Sequence, residues 1–171
     1  EAKAIAGICP TTEANLGDGV FPTTEFMAEG GTIAIGSDSH ISVNPVEELR
    51  WLEYAQRLVK QQRAILASNQ QASVGLNLWQ QANNGGAKST TEICGELAVG
   101  KQADLLVLDP EKTQLFANDL NKLMDSLVFA SQSSPIKDVM VNGLWFIRDY
   151  KHSLEKQSQT SFSELLSKLD S

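Results

Sequence analysis

Asp38, Ser39 and His40 stand together in a GSDSH run that leaves the apolar stretch TIAIG at residues 32–36. A carboxylate, a hydroxyl and an imidazole at the carboxyl end of a buried parallel strand lie where α/β barrels and open sheets collect ligand and catalytic groups. Asp38 has no helix of its own to cap at once, so it could ligate a metal ion or serve as a general base. It could also do no more than stabilise a loop, with Asn44 capping the helix that follows. A second polar cluster, Thr11, Thr12, Glu13 and Asn15, follows the apolar run AIAGI at residues 4–8. These side chains could line a substrate loop, or Thr11 and Thr12 could simply cap turns ahead of Gly17-Asp18-Gly19. Cys9 and Cys94 match neither a zinc knuckle nor a redox pair and read as reduced, mostly buried thiols. His152, in a polar stretch, reads as a surface residue.

These groups need elements to hold them. The two apolar runs are separated by loops and a short helix-compatible stretch, PTTEFMAEG, which predicts a parallel strand, helix, strand unit. The clearest helix opens with Asn44 as N-cap, Pro45 at the first helical position and Glu47 completing a capping box. Val46, Leu49, Leu52, Ala55, Val59 and Leu66 recur at helical spacing, with Glu47, Glu48, Glu53, Arg57 and Lys60 on the predicted wet face. A further helix is predicted over residues 74–83, closed by Asn84-Gly85-Gly86. Beyond residue 97 the pattern changes. Strands are expected at 103–108 and 136–141, the latter turning through Asn142-Gly143 into 144–147, and a helix at 119–130. The segment from Ser153 is polar and closes with Phe162, Leu165, Leu166 and Leu169 at helical spacing.

Composition narrows the partners. With 14 basic against 21 acidic residues the formal charge is -7, the wrong sign for gripping a phosphate backbone, so no nucleic-acid partner is expected. No apolar run approaches the roughly 20 residues that cross a bilayer, and residues 1–10 lack the features of a signal peptide. The expectation is a soluble, cytoplasmic protein that needs no membrane.

Three segments carry a resemblance. GELAVGKQADLLVLD (95–109) resembles the G-x-L-x-x-G-K-x-A-D turn and strand of the amidohydrolase superfamily, and IKDVMVNGLWFIRD (136–149) resembles the hairpin that follows it there. LNLWQQANNGGAKS (76–89) is similar to the superfamily's T-x-x-G-A-x helix end, although Asn83-Asn84 departs from the usual Thr-Ile or Thr-Leu. CPTTEANLGDGVFP (9–22) and GSDSHISVNPVEELRWLEYAQRL (36–58) resemble the branch that acts on a formimino group. Purine deaminases of the superfamily share the Cys-Pro start but usually read Gly-Thr-Asp at the metal loop. A purine or imidazolone-type deaminase is the alternative within the superfamily, and a non-catalytic dimerisation or structural module is the alternative outside it.

The resemblance implies an α/β fold: the C-terminal piece of a metal-dependent (β/α)8 barrel plus part of the small composite β-sandwich. Residues 1–94 would supply the last barrel strands and helices, 95–150 the sandwich part, and 151–171 a polar tail with a short amphipathic helix. Asp38 then corresponds to the aspartate that ligates one divalent ion, normally zinc, and carries the proton between the attacking water and the departing ammonia. His40 either orients Asp38 or the substrate, or faces solvent; Ser39, Thr11, Thr12 and Asn15 are the remaining substrate-loop candidates. The superfamily's other metal ligands are histidines on earlier strands, whereas this chain has His40 and His152 alone. The resemblance also implies a small-molecule substrate; by itself the chain is expected to carry no ion or to bind one weakly through Asp38, and to be inactive. Strands cut off from their barrel neighbours would leave open edges, so a homo-oligomer is expected.

Overall fold

The structure, a computed structural model, describes residues 4–39, 42–90, 93–111, 119–131 and 133–169. The two apolar runs form β1 (Ile5–Ile8) and β2 (Thr32–Ile35), which pair in parallel with Ile5 opposite Thr32 and Ile8 opposite Ile35. The connection holds two short helices, α1 (Pro10–Leu16) and α2 (Thr23–Ala28). The first corrects the reading of residues 11–15 as loop. Pro10 presets the first turn, the Glu13 carboxylate accepts from the Cys9 N–H at 2.9 Å, and Gly17 closes the helix in the left-handed conformation at φ 77°.

Helix α3 (Pro45–Lys60) follows β2, and the Asn44 side chain accepts from the N–H groups of Val46 and Glu47. The reciprocal half of the capping box is replaced. The Asn44 N–H donates to the Ser42 carbonyl, and the Glu47 carboxylate accepts from the Ser42 hydroxyl. The predicted wet face of α3 is also corrected, since Glu48 and Glu53 are 1% and 0% exposed while Val59 is exposed and Leu66 lies beyond the helix. Burial of a carboxylate requires compensating donors. Glu53 finds them in the N–H groups of Ile65 and Leu66 and the Arg57 guanidinium, at 3.0, 2.9 and 2.7 Å.

Helix α4 (Val74–Thr90) runs seven residues past its predicted end, straight through Gly85 and Gly86. A Cβ on Gly85 would lie 1.8 Å from the Ile33 carbonyl oxygen, so the glycine serves as the point where α4 lies directly on β2. Helix stop and close approach use the same residue type, and packing decides between them.

The remaining elements are β3 (Leu105–Leu108), α5 (Leu120–Ala130), β4 (Ile136–Val141), β5 (Leu144–Arg148), β6 (Lys151–His152) and α6 (Glu155–Leu169). The four strands form one antiparallel sheet in the order β3, β4, β5, β6, with the expected β4–β5 hairpin turning at Asn142 (φ 49°) and Gly143 (φ 77°). The short β6 was not legible beforehand. It places His152 opposite Ile147, half-buried, with Nδ1 accepting from the Leu154 N–H at 3.1 Å. One core cluster gathers Ile8, Ile33, Leu49, Leu52, Leu66, Val74, Leu78 and Val128 between the parallel strands and the helices. A second unites Val46, Leu76, Met124 and Leu127, against which Leu108 brings the antiparallel sheet. No helix of the described residues is long and apolar enough to cross a membrane.

Candidate active site at the carboxyl ends of the parallel strands

Parallel pairing puts the carboxyl ends of β1 and β2 side by side, so whatever follows Ile8 meets whatever follows Ile35. The Gly36 N–H continues the ladder onto the Ile8 carbonyl at 3.1 Å, and a Cβ on Gly36 would come 3.5 Å from Cys9 Sγ. Asp38 lies two residues on, solvent-exposed and in a left-handed backbone conformation at φ 47°. Aspartate tolerates that region better than most residues, at a modest cost that the surroundings must offset. Ser39 is exposed beside it, and His40 lies outside the described residues.

Helix α1 holds this loop from one side. The Thr12 hydroxyl donates to the Ser37 carbonyl at 2.6 Å, the residue immediately before Asp38. Thr11 turns the other way, its N–H and hydroxyl both donating to the Glu48 carboxylate of α3, at 3.0 and 2.5 Å. Both threonines are buried, at 4% and 3% exposure, so their hydroxyls are committed to the protein; Asn15 is exposed. Gln56 extends the same bracing, its amide donating to the Phe21 carbonyl at 2.8 Å. Sequence reasoning missed Glu48 and Gln56 because both read as polar. The signal was their spacing: residues 48 and 56 flank Leu52 at four-residue intervals, on the face that Leu52 buries.

The local field is negative. Burial first, and then the charges of Asp38, Glu13 and Glu48, push the Cys9 thiol above its ordinary value. Such surroundings disfavour a thiolate. Among the described residues, however, no group of three His, Cys, Asp or Glu side chains converges to hold a metal ion. A catalytic zinc takes about three protein ligands. The described part of the site fits such an ion as a single oxygen donor, Asp38, and not as a complete cage.

Comparison with known proteins places this geometry in a family. The amidohydrolase family model matches residues 1–146, and the chain belongs to that family. It is 46% identical to the formimidoylglutamate deiminase of Pseudomonas aeruginosa over 166 residues, which is 97% of this chain and 37% of that protein. It is 31% identical over 144 residues to a 5-methylthioadenosine/S-adenosylhomocysteine deaminase of Shouchella clausii, covering 82% of this chain and 31% of that one. Among solved structures, an amidohydrolase from Brucella melitensis superposes with a TM-score of 0.86 at 37% identity, over 98% of this chain and 37% of that chain. A zinc-bound adenosine deaminase from Xanthomonas campestris shares the fold, with a TM-score of 0.77 at 20% identity over 94% of this chain and 36% of its own. The chain thus spans little more than a third of the length of the relatives it matches. Its parallel strands and crossover helices are a piece of the amidohydrolase barrel.

Proposed function

We propose that this chain is the C-terminal part of a zinc-dependent deiminase that hydrolyses N-formimino-L-glutamate to N-formyl-L-glutamate and ammonia, a step of histidine breakdown. The observation that carries the reading is the 46% identity to a formimidoylglutamate deiminase across 97% of the chain, the GSDSH loop included in the matched region. The weaker 31% likeness to a deaminase of adenosine-type compounds supports the broader reaction class, loss of ammonia from an amidine carbon attacked by water.

Asp38 is the residue assigned to chemistry. Its place at the carboxyl end of β2, exposed and supported from below by Thr12, suits a ligand that must reach outward into a shared site. A bound divalent ion would supply Lewis acidity, bringing the ionisation of water towards neutral pH. The Asp38 carboxylate would receive the proton given up by the attacking water and pass it to the departing nitrogen, so that ammonia leaves neutral. The remaining ligands belong to the length of the relatives that this chain does not span. Ser39, His40 and Asn15 are candidates for contacting substrate, whereas Thr12 acts through the loop it holds and Thr11 through its bonds to Glu48.

In a full-length enzyme comprising this chain and the preceding barrel strands, Asp38→Ala is expected to lower ammonia release from N-formimino-L-glutamate by at least about a thousandfold while circular dichroism stays unchanged. Ammonia release at the wild-type rate would remove Asp38 from the mechanism. Turnover of a purine nucleoside in place of the formimino compound would move the substrate assignment to the other branch.

A further inference from the structure

Glu48 has no part in the chemistry assigned above, yet it is a nearly inaccessible carboxylate whose oxygens both serve one residue. At 1% exposure it accepts from the Thr11 N–H through Oε2 and from the Thr11 hydroxyl through Oε1. A carboxylate buried merely to hold two helices together could be replaced by an apolar contact at little loss. What this one does is set the rotation and height of α1, a helix too short to be fixed by its own hydrogen bonds. The next residue on that helix, Thr12, points its hydroxyl at the Ser37 carbonyl. The peptide it grips leads directly into Asp38, whose left-handed backbone must be held by its surroundings.

We infer that Glu48 and Thr12 are positioning residues for Asp38: α3 fixes α1 through Glu48 and Thr11, and α1 fixes the metal loop through Thr12 and Ser37. The inference rests on the reading of Asp38 as ligand and proton carrier. The path is covalent or hydrogen-bonded at every step, and each contact is 3.0 Å or shorter. Its consequence is geometric. Releasing the Ser37 carbonyl lets Asp38 swing by a fraction of an ångström or more, which lowers turnover and ion affinity while leaving substrate recognition on other residues intact.

The test uses the full-length enzyme with zinc and N-formimino-L-glutamate, and four variants: Thr12→Val, Thr12→Ser, Glu48→Gln and Asp38→Asn. Thr12→Val keeps the shape and deletes the hydroxyl; it is expected to lower kcat about ten- to a hundredfold and weaken zinc binding, read by chelator competition, about tenfold, with KM within about threefold. Thr12→Ser, which restores the donor, should return both quantities to within about threefold of wild type. Glu48→Gln should reproduce a milder version of Thr12→Val, and if it fails to fold, the Thr12 pair decides alone. Wild-type kcat and zinc affinity in Thr12→Val, beside an inactive Asp38→Asn, would overturn the inference and leave the role of Asp38 standing. Losses in Thr12→Val that follow only the unfolded fraction, with unaltered zinc affinity of the folded protein, would overturn it equally. Full activity in Asp38→Asn would instead remove the underlying reading, and the inference with it.

Discussion

Tyr150 shows how far one contact can move a side chain's chemistry in this protein. Its phenol donates to Asp109 Oδ2 at 2.5 Å, and partial desolvation followed by that carboxylate raises its ionisation from the ordinary 10.0 to about 12. A phenol stabilised in its neutral form adds stability that is whole below pH 10 and fades as the pH climbs through 12. An ultraviolet titration of the folded protein should therefore resolve one tyrosine ionising near 12. In Asp109→Asn that step should move down, stopping short of 10 because desolvation persists. An unmoved step would mean that the carboxylate has no part in it. At the same scale, Glu48, Glu53 and Gln56 each carry a buried polar group from α3 to a different segment: α1, residues 65–66 and the loop at Phe21. Their spacing along one helix makes α3 the template against which the irregular parts of the chain are set.

Among the elements, α4 lies close against two neighbours, because two glycines let backbone meet backbone. Gly75 meets Met124 of α5, where an added Cβ would come 2.4 Å from the carbonyl oxygen, and Gly85 meets Ile33 of β2. Gly85→Ala would gain helix propensity of about 1 kcal/mol in an isolated helix. Against that stands a methyl group driven into a strand carbonyl, where the overlap cannot be relieved by a side-chain rotation. The substitution is expected to destabilise the protein by about 3 kcal/mol, at the upper end of overpacking effects, read as a lower urea midpoint. Gly86→Ala, with open space around its Cβ, should be neutral or slightly stabilising. Equal effects at the two positions would refute the packing account. Arg50 tightens the same group of helices, its Nε and guanidinium NH2 donating to the carbonyls of Val128 and Ser131 at 2.6 and 2.8 Å, where α5 ends.

Taken whole, the chain exposes more surface than a protein of its mass usually does. A compact 18.6 kDa monomer would expose roughly 8,200 Å² by the usual size scaling, against 11574 Å² here. Large apolar side chains are among the exposed residues. Leu58 and Val59 on the outer side of α3 border a groove of about 310 Å³ that continues to Val20 and Trp51. Leu144, Trp145 and Phe146 are exposed on the antiparallel sheet, and α6 presents Phe162, Leu165, Leu166 and Leu169 with no buried residue of its own. Among the described residues the parallel sheet has two strands, so its outer edges add backbone groups without a strand partner. The isolated 171-residue polypeptide is expected to associate with itself at micromolar concentration, read by light scattering or sedimentation. A monodisperse monomer with cooperative unfolding would show that these surfaces are tolerable without a partner.

What was legible in the sequence was whatever local chemistry encodes. Alternating turn and apolar signals placed both parallel strands, Asn44 announced its helix, Asn142-Gly143 announced the hairpin, and the runs at residues 95–109 and 136–149 carried the family. The position of Asp38 at a strand end followed from the same local order. The tertiary structure alone decided the rest. Glu48 reads as a solvent-facing charge until Thr11, thirty-seven residues earlier in the chain, supplies two donors that make its burial tolerable. Gly85 reads as a helix stop until β2 presents a surface on which only a glycine fits. A propensity is a property of a few neighbouring residues, whereas burial and close approach depend on partners that the fold brings from elsewhere in the chain.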